Sequence, residues 1–283
     1  MPYRAFGLSV KSFLPIPGAQ EWLGPDGDLG LEILPGQIAF EGACITAEPY
    51  RLSGDKLLFA MPGVARYCCE AGKRMVVEQD SAVKAGDVGD MLIATALPMA
   101  MWMRGRLMLH AAGVIAPSHE GAVALTGPAG SGKSTLANEL IRRGAALVGE
   151  DSLALEWKEG RVECSGLPAV CLLRAAEDTH SKRAVGVPAA QQAASAALRG
   201  VVVLSSADGE AGRTPRRLDA MAALQALLEA RHRPAVPRLL GREPAQLAEW
   251  ATIAEGVPVY RWNPVRRSVS EDADVLEAFF AEA

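Results

Sequence analysis

The run Gly127-Pro128-Ala129-Gly130-Ser131-Gly132-Lys133-Ser134 satisfies G-x-x-x-x-G-K-[ST] at every fixed position. It lies between an apolar stretch, Gly121–Thr126, that reads as a buried strand, and Ser134–Arg143, which reads as a helix closed by Gly144. The glycines let backbone N–H groups turn inward and approach an anion closely. The helix start adds its positive dipole end. Lys133 supplies a cation for β- and γ-phosphates, and the Ser134 hydroxyl is a magnesium ligand; Thr135 extends the nucleotide-contacting run. The expected ligands are ATP and Mg2+. The motif itself does not separate ATP from GTP, or hydrolysis from transfer.

Such a site needs a carboxylate at the end of a neighbouring strand to hold the metal. Glu150-Asp151 follows the apolar Ala145–Val148. Two adjacent carboxylates point in different directions, so one can ligate metal while the other takes a proton, and like charges close together raise one pKa. Asp151 is expected on the metal beside Ser134, and Glu150 as the base, with the converse open. Asp208, after Val201–Leu204, is a rival metal ligand but reads as turn chemistry. His110 ends the apolar run Leu107–Leu109 just upstream and could steer the acceptor's proton. Arg174, Lys182 and Arg183 are candidates to neutralise a transition state, with surface charge an equal reading. His119, His180 and His232 fall in polar loops or helix ends and receive no role.

Leu109-His110-Ala111-Ala112-Gly113, the loop Gly127–Thr135, and Leu140–Gly144 running on to Glu150-Asp151 resemble, in order and spacing, the HPr kinase/phosphorylase superfamily. The resemblance implies a compact serine-kinase domain whose nucleotide site also looks like that of phosphoenolpyruvate carboxykinase. It implies that the histidine and first acid assist proton transfer from a serine and that the second acid helps hold metal. The family's usual Asp-Asp is Glu150-Asp151 here. The later signature linked to phosphorylase action is echoed only by Glu163–Pro168, far too early. That argues against phosphorylase activity and against HPr as substrate. The layout is similar to shorter HPr-kinase-like proteins, some of which are encoded with lasso-peptide biosynthesis and phosphorylate a precursor's C-terminal serine.

The elements that must position these residues alternate between strand and helix. After the strands already named come Val201–Leu204 (strand), Leu218–Arg231 and Glu243–Ala254 (helices) and Val257–Trp262 (strand), the pattern of an α/β sheet. Asp90–Arg106 is apolar and Met-rich, with the look of a buried helix. Residues before it carry turn chemistry at 24–27 and 53–55 between short apolar segments, Leu31–Leu34, Gln37–Phe40, Leu57–Met61 and Met75–Glu78. The expected fold class is an α/β P-loop kinase domain, HPr kinase-like, with a β-rich N-terminal domain: residues 1–104 and 105–283.

With 49% hydrophobic and 22% charged residues, the 283-residue chain can bury a substantial core. A net charge of −4 gives no field for nucleic acid, and the arginines within 213–217 and 231–242 read as solvated faces. Five cysteines, none spaced Cys-x-x-Cys, argue against a disulfide framework or zinc site. The N-terminal residues lack a signal peptide's apolar run, and the longest apolar stretch, Met91–Met103, is too short to cross a bilayer. A cytoplasmic protein is expected, with a serine-bearing peptide or small protein as acceptor partner, no nucleic acid, no membrane and a possible homo-oligomer. A small-metabolite kinase and a nucleotide-dependent regulator with little turnover are the alternatives.

Overall fold

The computed structural model describes residues 1–21, 30–40, 42–117, 119–174, 182–205, 212, 214–264 and 268–282. The turn at 24–27 and the rival acid Asp208 lie outside the described residues, as do the side chains of Arg174, Lys182 and Arg183.

Nine strands form a first sheet: β1 (Pro2–Ala5), β2 (Leu8–Ser12), β3 (Gln20–Glu21), β4 (Leu31–Pro35), β5 (Ile45–Ala47), β6 (Tyr50–Ser53), β7 (Lys56–Met61), β8 (Ala65–Glu70) and β9 (Arg74–Gln79). Their order is β3-β1-β2-β4-β9-β8-β7-β6-β5. The turn at 53–55 is a two-residue hairpin: Ser53 pairs with Lys56, and Gly54 takes a positive φ. Gln37–Phe40 joins no strand; Ile38 and Phe40 instead cover Leu58 and Cys68 on the sheet's outer face.

The Met-rich segment is helical from further upstream than expected. It runs as α1 (Ala85–Met91), a π-helical turn (Leu92–Ala96) and α2 (Leu97–Met103), every residue of α2 being buried. It stops before Arg106 because Gly105 adopts φ +82°, an αL residue that ends the helix.

The second sheet contains β10 (Leu107–Leu109), β11 (Ala111–Ile115), β12 (Ala122–Thr126), β13 (Ala146–Gly149), β14 (Leu153–Lys158), β15 (Arg161–Ser165) and β18 (Ser195–Leu204), ordered β10-β14-β15-β18-β12-β11-β13. A separate hairpin, β16 (Val170–Arg174) with β17 (Lys182–Gly186), precedes β18. β20 (Val259–Trp262) adds parallel to β18, with β19 (Arg216–Arg217) beside it. The helices are α3 (Lys133–Arg142), α4 (Ala220–Glu229, capped by the Asp219 carboxylate on Ala222 N–H), α5 (Ala235–Leu239), α6 (Glu243–Gly256) and α7 (Val269–Glu282). None is long and apolar enough to cross a membrane.

Strand β12 is apolar from Ala122 to Leu125 because both its faces are covered. Ala122 and Ala124 face the large core shared with the first sheet, α2 and α6. Val123 and Leu125 face a second core with Leu136 and Leu140 of α3 and Leu276 and Phe280 of α7. The Arg143 guanidinium fastens these two helices, donating to Asp274 (2.5 Å), Glu277 (3.1 Å) and the Ser270 carbonyl (2.7 Å). Arg106 joins the sheets, donating to the Phe6 carbonyl and pairing with Glu156 at 3.0 Å.

The end of β13 passes unusually close to the chain after β15. A Cβ on Gly149 would sit 2.7 Å from Gly166 Cα and 2.9 Å from Leu167 N. Gly149→Ala should therefore force the backbones apart and destabilise the fold by about 1–3 kcal/mol, read as a lower urea midpoint at unchanged slope.

Candidate functional site

Register decides which residues meet. β11 runs antiparallel to both neighbours, with Ala111 opposite Thr126 of β12 and Gly113 opposite Gly149 of β13. The start of β11 and the ends of β12 and β13 thus share one sheet edge, which gathers His110, the loop from Gly127 and the pair Glu150-Asp151. The Thr126 hydroxyl donates to the His110 carbonyl at 2.8 Å, fixing the junction.

The loop depends on its glycines. Gly127, Gly130 and Gly132 have φ of +139°, +82° and +93°, a region L side chains rarely occupy. A Cβ on Gly127 would lie 2.2 Å from the Leu204 carbonyl oxygen, so β18 leaves no space there. Gly132 precedes Lys133, the first residue of α3, so that helix's unpaired N-terminal amides open onto the loop. The Lys133 ammonium is held over the loop, donating to the carbonyls of Gly127 (2.8 Å) and Pro128 (3.0 Å). Ser131 is buried within it, while Thr135 is exposed on its outer side.

The two acids separate, and not in the expected way. The Ser134 hydroxyl donates to Glu150 Oε1 at 2.5 Å, so the acid against the loop serine is Glu150 and not Asp151. Glu150 is 7% exposed. Asp151, held at φ +69°, turns toward His110 and His232. A non-Gly residue in this region is strained, and such strain concentrates at functional sites.

His232 has no signature in the sequence, since it lies 81 positions beyond Asp151 on a different element. It is 4% exposed and meets the His110 ring edge-on at 5.3 Å between centroids. Its Nδ1 lies 2.7 Å from Ser152 Oγ and 3.2 Å from the Asp151 carbonyl oxygen, and its Nε2 lies 3.2 Å from the Ala94 carbonyl oxygen, whose i+4 position is Pro98, with no N–H to give. In the neutral ring whose Nε2–H donates to Ala94, Nδ1 accepts from the Ser152 hydroxyl and gives no proton to the Asp151 carbonyl. Burial pushes its pKa down to about 4; the Asp151 charge opposes this and the Arg233 charge assists it. One ligand atom each from His110, Asp151 and His232 lie within 4.8 Å of one another. That spacing suits a cation, but both His232 nitrogens are engaged, so the ring acts as a brace.

Of the four arginines within 231–242, Arg238 is exposed as expected, but the other three are not a solvated face. Arg233 donates twice to the Ala94 carbonyl, Arg242 to the carbonyls of Trp102 and Met103, and Arg231 to Leu228 and Glu243. Arg233 thus seats the α4–α5 corner against the π-helical turn, and Arg242 ties it to the end of α2. A cavity of about 720 Å³ opens between that corner and the loop, lined by His110, Gly127, Pro128, Asp151, His232 and Arg233 among others. Its size is that of a small-molecule or peptide-side-chain site.

No protein-family model matches the chain, and no curated protein matches it. Among solved structures it is similar to the Hpr(Ser) kinase/phosphatase from Coxiella burnetii, at 15% identity and a TM-score of 0.39. The match covers 62% of this chain and 91% of that one.

His232 is neutral in the folded protein, with a pKa depressed from its ordinary 6.5 to about 4. The unfolded chain therefore binds the extra proton first, and stability should fall as pH drops from 6.5 toward 4. The span corresponds to on the order of 3 kcal/mol. His232→Gln should flatten this part of the stability–pH curve, measured by urea unfolding at closely spaced pH values.

Proposed function

We propose that the chain is an ATP- and magnesium-dependent phosphotransferase that moves the γ-phosphoryl group to a serine hydroxyl, with a peptide as acceptor. The observation that carries this is the division of the two acids: Glu150 against the loop serine, and Asp151 facing the adjoining cavity beside His110. A nucleotide-dependent regulator has no need of a carboxylate and an imidazole aimed into a second cavity. The proposal assigns catalysis to residues 105–283, with residues 1–104 as the supporting β-rich part, since Ala94 braces the corner that closes the cavity.

Phosphates would be held by the amides of Gly127, Pro128, Ala129, Gly130, Ser131, Gly132, Lys133, Ser134 and Thr135, with Lys133 placed to meet the transferring charge. Ser134 and Glu150 offer a hydroxyl and a carboxylate, the hard oxygen donors magnesium prefers, so the donor set fits. Bound there, magnesium would neutralise charge on the β- and γ-oxygens. Asp151 accepts the proton from the acceptor hydroxyl while His110 orients it. The acceptor oxygen bonds to the γ-phosphorus, the bond to the β,γ-bridging oxygen breaks, and ADP leaves. This assignment reverses the roles first expected for Glu150 and Asp151. The acceptor's identity as a lasso-peptide precursor with a C-terminal serine rests on the sequence resemblance. The cavity also has room for a small metabolite.

Three variants test the division. Lys133→Ala should abolish turnover and weaken nucleotide binding while the fold persists. Asp151→Asn should lower kcat by about a hundredfold with ATP affinity little changed. Glu150→Gln should weaken magnesium-dependent ATP binding along with turnover. The readouts are calorimetry with Mg-ATP and transfer of label from γ-labelled ATP to serine-ended peptides. If Glu150→Gln spares ATP binding and Asp151→Asn destroys it, the roles are the other way round. ATP binding that alters a partner's affinity while no acceptor is ever labelled would make the chain a regulator.

A further inference from the structure

Arg233 does more than seat the α4–α5 corner. Its Nε and Nη2 donate to the Ala94 carbonyl at 3.1 and 2.8 Å, which leaves Nη1 unused among the described residues. A carbonyl is neutral, so these bonds fix the guanidinium in place without cancelling its charge. No acid among the described residues pairs with it, whereas Arg231, the other arginine on the cavity wall, pairs with Glu243 at 3.3 Å. Arg233 is half-buried, and a cation held partly out of water without a counter-charge is unfavourable. Its backbone adds strain, with φ at +56°, where non-glycine residues are rare and cluster at ligand clamps.

The surroundings narrow what such a cation could hold. Arg233 and Nε2 of His232 share the Ala94 carbonyl oxygen. A ring nitrogen of His232 lies within 4.8 Å of an Asp151 carboxylate oxygen. One imidazole therefore separates the guanidinium from the proposed base, and both line the same cavity of about 720 Å³. The charge is felt at that imidazole, where it adds to burial in lowering the His232 pKa. A planar, singly charged carboxylate matches the planar guanidinium. A phosphate, with nearly two charges, would be set against Asp151 and Glu229 on the same walls.

We infer that Arg233 selects the acceptor, by pairing with a carboxylate that the acceptor carries next to its reacting hydroxyl. The inference rests on the phosphotransferase reading of the site. With the hydroxyl at Asp151 and the carboxylate at Arg233, two contacts orient the acceptor against the loop, and His232 holds their spacing. In a peptide that carboxylate is either the terminal one, when the serine comes last, or the side chain of an acidic neighbour. An acceptor without it makes the first contact only.

The test follows label from γ-labelled ATP into two pairs of peptides. One pair ends in serine, as the free acid and as the C-terminal amide. The other has an internal serine followed by Asp or by Asn. The charged member of one pair should exceed its neutral twin in kcat/KM by roughly tenfold or more, the worth of a hydrogen bond to a charged group, mostly through KM. The pair that responds names the source of the carboxylate. Arg233→Gln keeps a donor for the Ala94 carbonyl and loses the charge, so it should erase that preference with ATP affinity unchanged. Arg233→Lys keeps the charge without the fork and should retain part of the preference. Equal labelling of charged and neutral twins by the unaltered chain overturns the inference. So does an Arg233→Gln chain that slows on every peptide in proportion, because the residue would then only hold the corner. No label on any peptide removes peptide phosphorylation itself, and this inference with it.

Discussion

Everything at the site hangs on the placement of β11 between β12 and β13, antiparallel to both. Had β11 paired with opposite polarity, His110 would lie at the far edge of the sheet from Gly127. A slip of one residue would turn its side chains to the wrong face. The Thr126 hydroxyl on the His110 carbonyl and the backbone bond from His110 N–H to the Ala230 carbonyl, 2.8 Å, hold the strand's start on both sides. The tight passage of Gly149 against Gly166 does the same for the end of β13. With those three strand ends fixed, loop, acids and histidine have little freedom left.

The brace behind the site follows a different logic. The residue four beyond Ala94 is Pro98, which has no N–H, so the Ala94 carbonyl lacks its α-helical donor. That carbonyl faces Nε2 of His232 and takes two bonds from Arg233. The Trp102 indole donates to the His232 carbonyl at 2.7 Å, and His232 N–H donates to Met108 at 2.8 Å. A buried, neutral imidazole in so many contacts cannot rotate away, which keeps the backbone of Asp151 and Ser152 in its strained turn.

Much of this was legible in the sequence because the chemistry there is local. Gly127 to Ser134 spells its own backbone conformation, and the strand before it and helix after it follow from the apolar pattern around it. His110 and Glu150-Asp151 are legible for the same reason, lying within one short stretch on either side of the loop. Which acid meets Ser134 was not legible, because that depends on the φ of Asp151, set by contacts from residues 94 and 232. His232 itself was invisible: a single histidine at a helix end has no spacing to betray it. Helix α7 left a signal that went unread, with Ala273, Leu276 and Phe280 at helical intervals, all buried. Strands β14 and β15 were missed because Glu156, Lys158, Arg161 and Glu163 break their apolar pattern, being paired across the sheet's exposed end.

The long reach of β18 has a consequence for how the protein is made. The loop is written by residue 134, yet its floor is the carbonyl of Leu204, and its parallel partner strand emerges from the ribosome well after it. Parallel pairing of this kind pays for closing a long stretch of chain before any hydrogen bond is gained. The corner bearing His232 comes later still, and α7 last. A nascent chain therefore carries the complete loop sequence long before the loop has its floor.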